Sequence, residues 1–191
     1  MRADARRNRA RILEVAFDSF AAEGLGVPVH EIARRAGVGT GTVSRHFPTK
    51  EALFAAIIQD RVGQLVDQAD VLAAEHAAEP GAAFRAFFET MVSQLAVDKG
   101  LADALAGEGV DLAAQTARAG EQITDALAGL LRRAQQSGDM RPDVEAADVK
   151  ALMMGCLGDE GRPAPGALQR RIDIVWAGLR LPAWPADGLT G

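Results

Sequence analysis

At 191 residues, with 48% hydrophobic and 5% aromatic side chains and no Tyr, the chain is long enough to bury a real core, and it has the make-up of closely packed, alanine-padded helices. No run of about 18 apolar residues occurs and no apolar segment follows the Arg-rich start, so neither a membrane span nor a secretory signal is expected, and the expected location is cytoplasmic. The net charge of −5 argues against a nucleic-acid partner until it is divided: residues 1–50 carry nine Lys/Arg against five Asp/Glu, net +4, and residues 51–191 carry twelve against twenty-one, net −9. Phosphate affinity follows local basic surface, so a basic head on an acidic body stays compatible with DNA.

The first helix is expected from about Arg6 to Ala22, where Ile12, Leu13, Ala16, Phe17 and Phe20 fall at helical spacing and Glu23-Gly24 supplies the stop. Pro28 suits the first turn of a second helix, where an N–H would go unsatisfied anyway. That helix turns Ile32, Ala33 and Ala36 inward and Arg34 and Arg35 outward, and Gly37 caps it in the left-handed conformation that lets the chain reverse. A third helix, about Thr40 to His46, turns Val43 inward; Phe47 closes the small core and Pro48 ends the segment. Thr49 is the expected N-cap of a long fourth helix whose apolar stripe is Leu53, Phe54, Ile57, Ile58, Val62, Leu65 and Val66.

Pro80-Gly81 opens a further helix that Lys99-Gly100 is expected to end, followed by a short apolar segment, Leu101 to Ala106, before Gly107-Glu108-Gly109. The pattern from Asp111 to Gln136 is helical, with Gly120 and Gly129 leaving its continuity open. After the break at Ser137-Gly138-Asp139 and Arg141-Pro142, two helices are expected at about 145–157 and 165–179, joined by GDEGRPAPG, and then a mobile tail in which Trp184 is the residue suited to packing. The expected fold is all-α with about nine helices. A helix-turn-helix domain covers 5–50 (motif about 28–47), a helical body covers 51–181, and a tail covers 182–191. The single Cys156 excludes an intrachain disulfide and reads as a small buried hydrophobe.

Two short helices joined by Gly37-Val38-Gly39 have the form of a helix-turn-helix, whose second helix enters the DNA major groove. Thr40, Thr42, Ser44 and Arg45 lie on the outward arc opposite Val43 and Phe47. Arg45 suits a bidentate contact to guanine or a phosphate clamp, threonine methyls suit thymine methyls, and Gly41 admits close backbone approach. Arg6, Arg7 and Arg9 are expected to add backbone or minor-groove contacts from a flexible arm. Lys50 stands at the start of the fourth helix, where free N–H groups and the dipole favour an anion.

The ordered segments EIARRAGV (Glu31–Val38), GTVSRHF (Gly41–Phe47) and PTKEALF (Pro48–Phe54), with the apolar helix Ile12–Phe20 upstream, resemble the TetR family of bacterial transcriptional regulators over about residues 6–60. The resemblance implies a homodimer binding a palindromic double-stranded operator and a body that takes a small effector and releases DNA; repression is the implied default. It also implies phosphate contacts by His46 and Lys50. Two departures stand out: Ser44 occupies a position where the family usually has an aromatic, and Val27-Pro28-Val29 replaces the usual Ser or Thr cap.

A dimer is also needed on physical grounds, to span major grooves about 34–36 Å apart. Ala147, Ala151, Met154, Leu157, Leu168, Ile172, Val175, Trp176 and Leu179 give the last two helices apolar faces suited to a four-helix bundle with their mates, or to closing the monomer's own core. Phe84, Phe88, Met91, Leu95, Met153 and Trp176 are candidates to line an apolar effector cavity, or else plain core; the few polar groups among them point to a hydrophobic effector. No cofactor or metal is expected. An enzyme is disfavoured because His30, His46 and His76 are scattered, no Cys/His cluster has metal spacing, and Gly39-Thr40-Gly41 lacks the strand and glycine pattern of a nucleotide loop. A regulator acting through a protein partner and an architectural DNA binder share the same head and stay open.

Overall fold

Arginine and alanine are strong helix formers, and an acidic residue in the first turn suits the helix dipole. Both hold at the N-terminus of this chain, where Asp4 pairs with Arg7. The computed structural model describes residues 2–107, 113–157 and 166–181. In it α1 runs Arg2–Glu23, four residues earlier than the apolar periodicity predicts. It is followed by α2 (Val29–Ala36), α3 (Thr40–His46), α4 (Lys50–Glu75), α5 (Pro80–Gly107), α6 (Ala113–Gln136), α7 (Ala146–Leu157) and α8 (Ala167–Leu179).

Among the described residues there are thus eight helices, not about nine. The difference lies at Lys99-Gly100, where α5 continues through Leu101–Ala106 to Gly107. A lone helical glycine costs about 1 kcal/mol, too little to break a helix of 28 residues. For the same reason α6 passes through Gly120 and Gly129 without interruption. The loop GDEGRPAPG, apart from its final Gly166, and the tail with Trp184 lie outside the described residues. No described helix is long and apolar enough to cross a membrane.

The chain forms two compact units, residues 1–66 with 97–123 and residues 67–96 with 124–191. They do not follow a single cut at residue 50, because Leu53, Phe54 and Ile57 of α4 belong to the core of the first unit. That core also holds Ile12, Leu13, Ala16 and Phe20 of α1, Ile32, Ala33 and Ala36 of α2, and Val43 and Phe47 from α3 and its end. The Phe20 and Phe54 rings meet at 4.8 Å, a tilted aromatic pair that joins α1 to α4.

The second unit buries Phe84, Phe87, Phe88, Met91 and Val92 of α5, Leu127, Leu130, Leu131 and Ala134 of α6, and Val149, Met153, Cys156 and Leu157 of α7. Met140 bridges to Arg180, so the turn after α6 is pinned to the end of α8. Asp139 in that turn accepts the Gly81 N–H at 2.9 Å and the Ser137 hydroxyl at 2.7 Å, capping α5 from 58 residues away. A Cβ on Gly81 would lie 2.8 Å from the Asp139 Cβ, so only glycine lets the carboxylate come this close.

The turn between α2 and α3 follows from three backbone facts. Gly37 has φ 68°. Its N–H donates to the Arg34 carbonyl at 3.2 Å, and the Val38 N–H donates to the Ala33 carbonyl at 3.0 Å. This is the Schellman arrangement, which satisfies the last carbonyls of α2 and sends the chain back. Gly37→Ala is therefore expected to lower unfolding stability by about 1–2 kcal/mol through left-handed strain alone, with Gly37→Asn losing less. Urea midpoints of the three proteins at equal slope measure it.

Candidate nucleic-acid interface

Seven residues are too few for a helix to persist in water, so α3 exists because its back is buried. Val43 is fully buried and Phe47 nearly so. Gly39 begins the helix in extended backbone without a side-chain cap, and the Phe47 N–H closes it on the Val43 carbonyl at 2.8 Å. The opposite arc is left to solvent: Thr40, Gly41, Ser44, Arg45 and His46 are exposed and Thr42 is half-buried. These six candidates therefore share one short, rigidly backed surface.

The flanking cations are placed by aromatic faces. Arg9 holds its guanidinium 5.6 Å over the Phe47 ring, and Lys50 holds its ammonium 5.9 Å from the Phe54 ring. Arg6 and Arg7 are exposed on α1. The flexible arm expected for Arg6, Arg7 and Arg9 is thus helical, because the alanine-rich start extends α1 to Arg2. Arg9 serves two ends, as a surface cation and as a brace behind α3. Arg11, which the motif does not single out, lies beside the helix-turn-helix turn, its guanidinium 3.8 Å from where a Gly37 Cβ would stand. Its signal in the sequence is only its spacing from Arg7, one helical turn away.

Pro28, expected in the first turn, is instead the N-cap of α2, which starts at Val29; it has φ −72° and no side-chain cap. Its carbonyl accepts from Glu31 and Ile32 at 3.0 and 3.2 Å. Val27 before it and Ile32 after it are buried in the same core, the spacing of a hydrophobic staple that stands in for the missing hydroxyl cap. Thr49 caps α4 as expected, accepting the Ala52 N–H at 3.1 Å.

Arg34 is exposed, but Arg35 is turned partly inward. Arg34 grips Glu31 through two hydrogen bonds of 2.8 and 2.6 Å. Arg35 bonds Glu31 at 2.8 Å, the buried Ser19 hydroxyl at 3.1 Å and the Glu23 carboxylate of α1. The pair of arginines holds the Glu31 carboxyl down to about 2, chiefly by hydrogen bonds from Arg34 and Arg35. Arg35 thereby fastens α2 to α1, while Arg34 is engaged within α2. Spacing alone does not reveal this, since the partners Ser19 and Glu23 lie 16 and 12 residues away.

The remaining candidates fall in the second unit. Phe84, Phe88, Met91 and Met153 are buried core, and Leu95 and Trp176 are half-buried. Trp176 stacks on Phe84 with centroids 6.2 Å apart, and Arg85 sits 5.5 Å over the indole while bonding Asp173 at 3.0 Å. None of these six lines either of two surface hollows, one on the first unit and one on the second, of about 320 and 340 Å3. Of the proposed pairing residues, Leu157, Ile172 and Leu179 are buried within the chain itself, Leu168, Val175 and Trp176 are half-buried, and Ala147, Ala151 and Met154 are exposed. The exposed set also contains Leu152, Ile174 and Leu181, which a search for inward periodicity passes over.

A carboxyl held low in the folded state adds stability that is present above its ordinary range near 4.5 and lost as the pH falls through about 2. Glu31→Gln is expected to be less stable than the parent at neutral pH, with the gap closing between those two values. Denaturation curves at a series of pH values check this, and a gap that persists in acid would rule out the Glu31 charge as its origin.

Residues 12–57 match the family described as "Bacterial regulatory proteins, tetR family", and residues 79–181 match "Transcriptional regulator SbtR-like, C-terminal domain". An HTH-type transcriptional regulator of Staphylococcus aureus (strain USA300) is 43% identical over 60 residues, 31% of this chain, and the match spans about a third (32%) of that relative's length. The structure of a TetR transcription regulatory protein from Mycobacterium vanbaalenii is 49% identical with a TM-score of 0.79, covering 94% of this chain and 99% of that one. A TetR transcriptional regulator from Streptomyces coelicolor is 34% identical with a TM-score of 0.76, covering 90% and 98%. With both halves matched and the helix-turn-helix in place, the chain belongs to the TetR family of bacterial regulatory proteins.

Proposed function

We propose that this protein binds a palindromic double-stranded operator as a homodimer in the cytoplasm, represses transcription there, and is released by a small effector. The observation that carries the reading is the two-sidedness of α3: Val43 and Phe47 buried behind, Thr40, Gly41, Ser44, Arg45 and His46 exposed in front. In this reading Arg45 reads a base, Thr40 and Thr42 touch thymine methyls, and His46, Lys50, Arg6, Arg7 and Arg9 meet phosphates. Ser44 is too short to make the contact of the usual aromatic, so docking leans on Arg45 and the flanking cations.

Selection of bound duplexes from a random pool tests this. A palindromic consensus is expected, and Arg45→Ala should relax one base in each half-site at a cost of about 1–3 kcal/mol. Loss of affinity that is uniform over all sequences would make Arg45 a phosphate clamp, and no preference for any duplex at low salt would end the reading.

Pairing of two copies is supported by the outer faces of α7 and α8. On α7, Val149, Met153, Cys156 and Leu157 point inward, which leaves Ala147, Ala151, Met154 and Gly155 exposed. On α8, Ile174 is 72% exposed and Gly178 one turn on is exposed too, as is Leu181 just past the helix end. Small residues next to long apolar ones allow close helix approach in a four-helix bundle. Ile174→Glu is expected to shift the protein from dimer to monomer in sedimentation at micromolar concentration while leaving its helix content unchanged. A dimer unaffected by this substitution would move the interface elsewhere.

Release requires an effector that prefers the DNA-incompetent state, with a coupling of about 1–3 kcal/mol. A hydrophobic effector among Phe84, Phe88, Met91, Leu95, Met153 and Trp176 would have to open a packed core, since four of the six are already buried.

A further inference from the structure

The hollow on the second unit has the chemistry of a binding site. The last turn of α4 with the turn after it, the first turn of α5 and the end of α6 border an open hollow of about 340 Å3, within the size range of small-molecule pockets. Its apolar lining is small: Ala73, Ala77 and Ala83 stand where larger side chains would fill the space, with Leu130 beside them. Among the described residues that line it, Arg133 is the one charged side chain, His76 adds an imidazole, and none is a carboxylate. Glu75 and Glu79 flank it in sequence without forming its wall.

One wall is built beforehand. Pro80 has a fixed φ, and the Ser137 hydroxyl donates to Asp139 at 2.7 Å while lying 3.0 Å from the Ala134 carbonyl. Asp139 in turn holds the Gly81 N–H. A wall locked by these bonds spends little ordering entropy when a ligand arrives.

We propose that this hollow binds a small amphipathic carboxylate, with its apolar tail on the alanine floor and its head on Arg133. The His76 imidazole supplies a further polar contact at the rim. This binding does not depend on the operator reading, and it is measured on the DNA-free chain.

Octanoate and its neutral isostere octanamide, titrated calorimetrically into the full chain, provide the test. Octanoate is expected to saturate one site per chain about tenfold more tightly than octanamide, the difference a charge-assisted contact makes. Arg133→Gln should abolish that preference, and Ala77→Trp should weaken both ligands by filling the floor. Both positions are exposed, and unchanged melting temperatures would confirm that the variants fold. Equal affinity for the two ligands, no saturable binding of either, or binding indifferent to both substitutions would overturn the proposal.

Discussion

Burial of Val43 and Phe47 behind α3 is the contact on which the interface depends. A helix of seven residues cannot pay its nucleation cost alone. Each buried side chain of this size contributes roughly 1.5–3 kcal/mol, enough to hold one short helix in one orientation. The same burial sets the rotation of α3 about its axis, and so decides which residues face outward. Arg9 over Phe47 and the Schellman turn at Gly37 fix the two ends of the segment.

Charge in the first unit is divided between fastening and recognition. Arg35 is engaged by Ser19 and Glu23 of α1 and so sets the seat of α2, while Arg34 is engaged by Glu31 within α2. Arg45 and His46 stay exposed on α3, and Arg6, Arg7 and Arg11 on α1. Net charge over a stretch of sequence therefore overstates the basic surface offered to DNA. The local arrangement is what a phosphate backbone meets.

In the second unit a polar clasp adds to the hydrophobic core built around Phe84, Phe87 and Phe88. Asp139 caps α5 and takes the Ser137 hydroxyl, while Met140 and Arg180 bridge the same turn to the end of α8. Elements far apart in sequence are joined at this point, and the wall of the alanine-floored hollow is made rigid by it. Aromatic candidates elsewhere in the unit are consumed in packing, as the Phe84–Trp176 stack under Arg85 shows.

Local sequence determined the helix-turn-helix almost residue by residue. Periodicity placed Ile32, Ala33, Ala36 and Val43 inward, glycine chemistry placed the turn at Gly37, and Thr49 marked the start of α4. These features depend on neighbours within a few residues, where spacing and backbone propensity decide. Long-range partnership is what the sequence left open. Whether Lys99-Gly100 stops a helix, whether Arg35 faces solvent or Ser19, and which faces of α7 and α8 remain uncovered were decided only by tertiary packing. An apolar stripe states that a face will be buried without naming its partner, and an arginine states a charge without naming the carboxylate that will hold it.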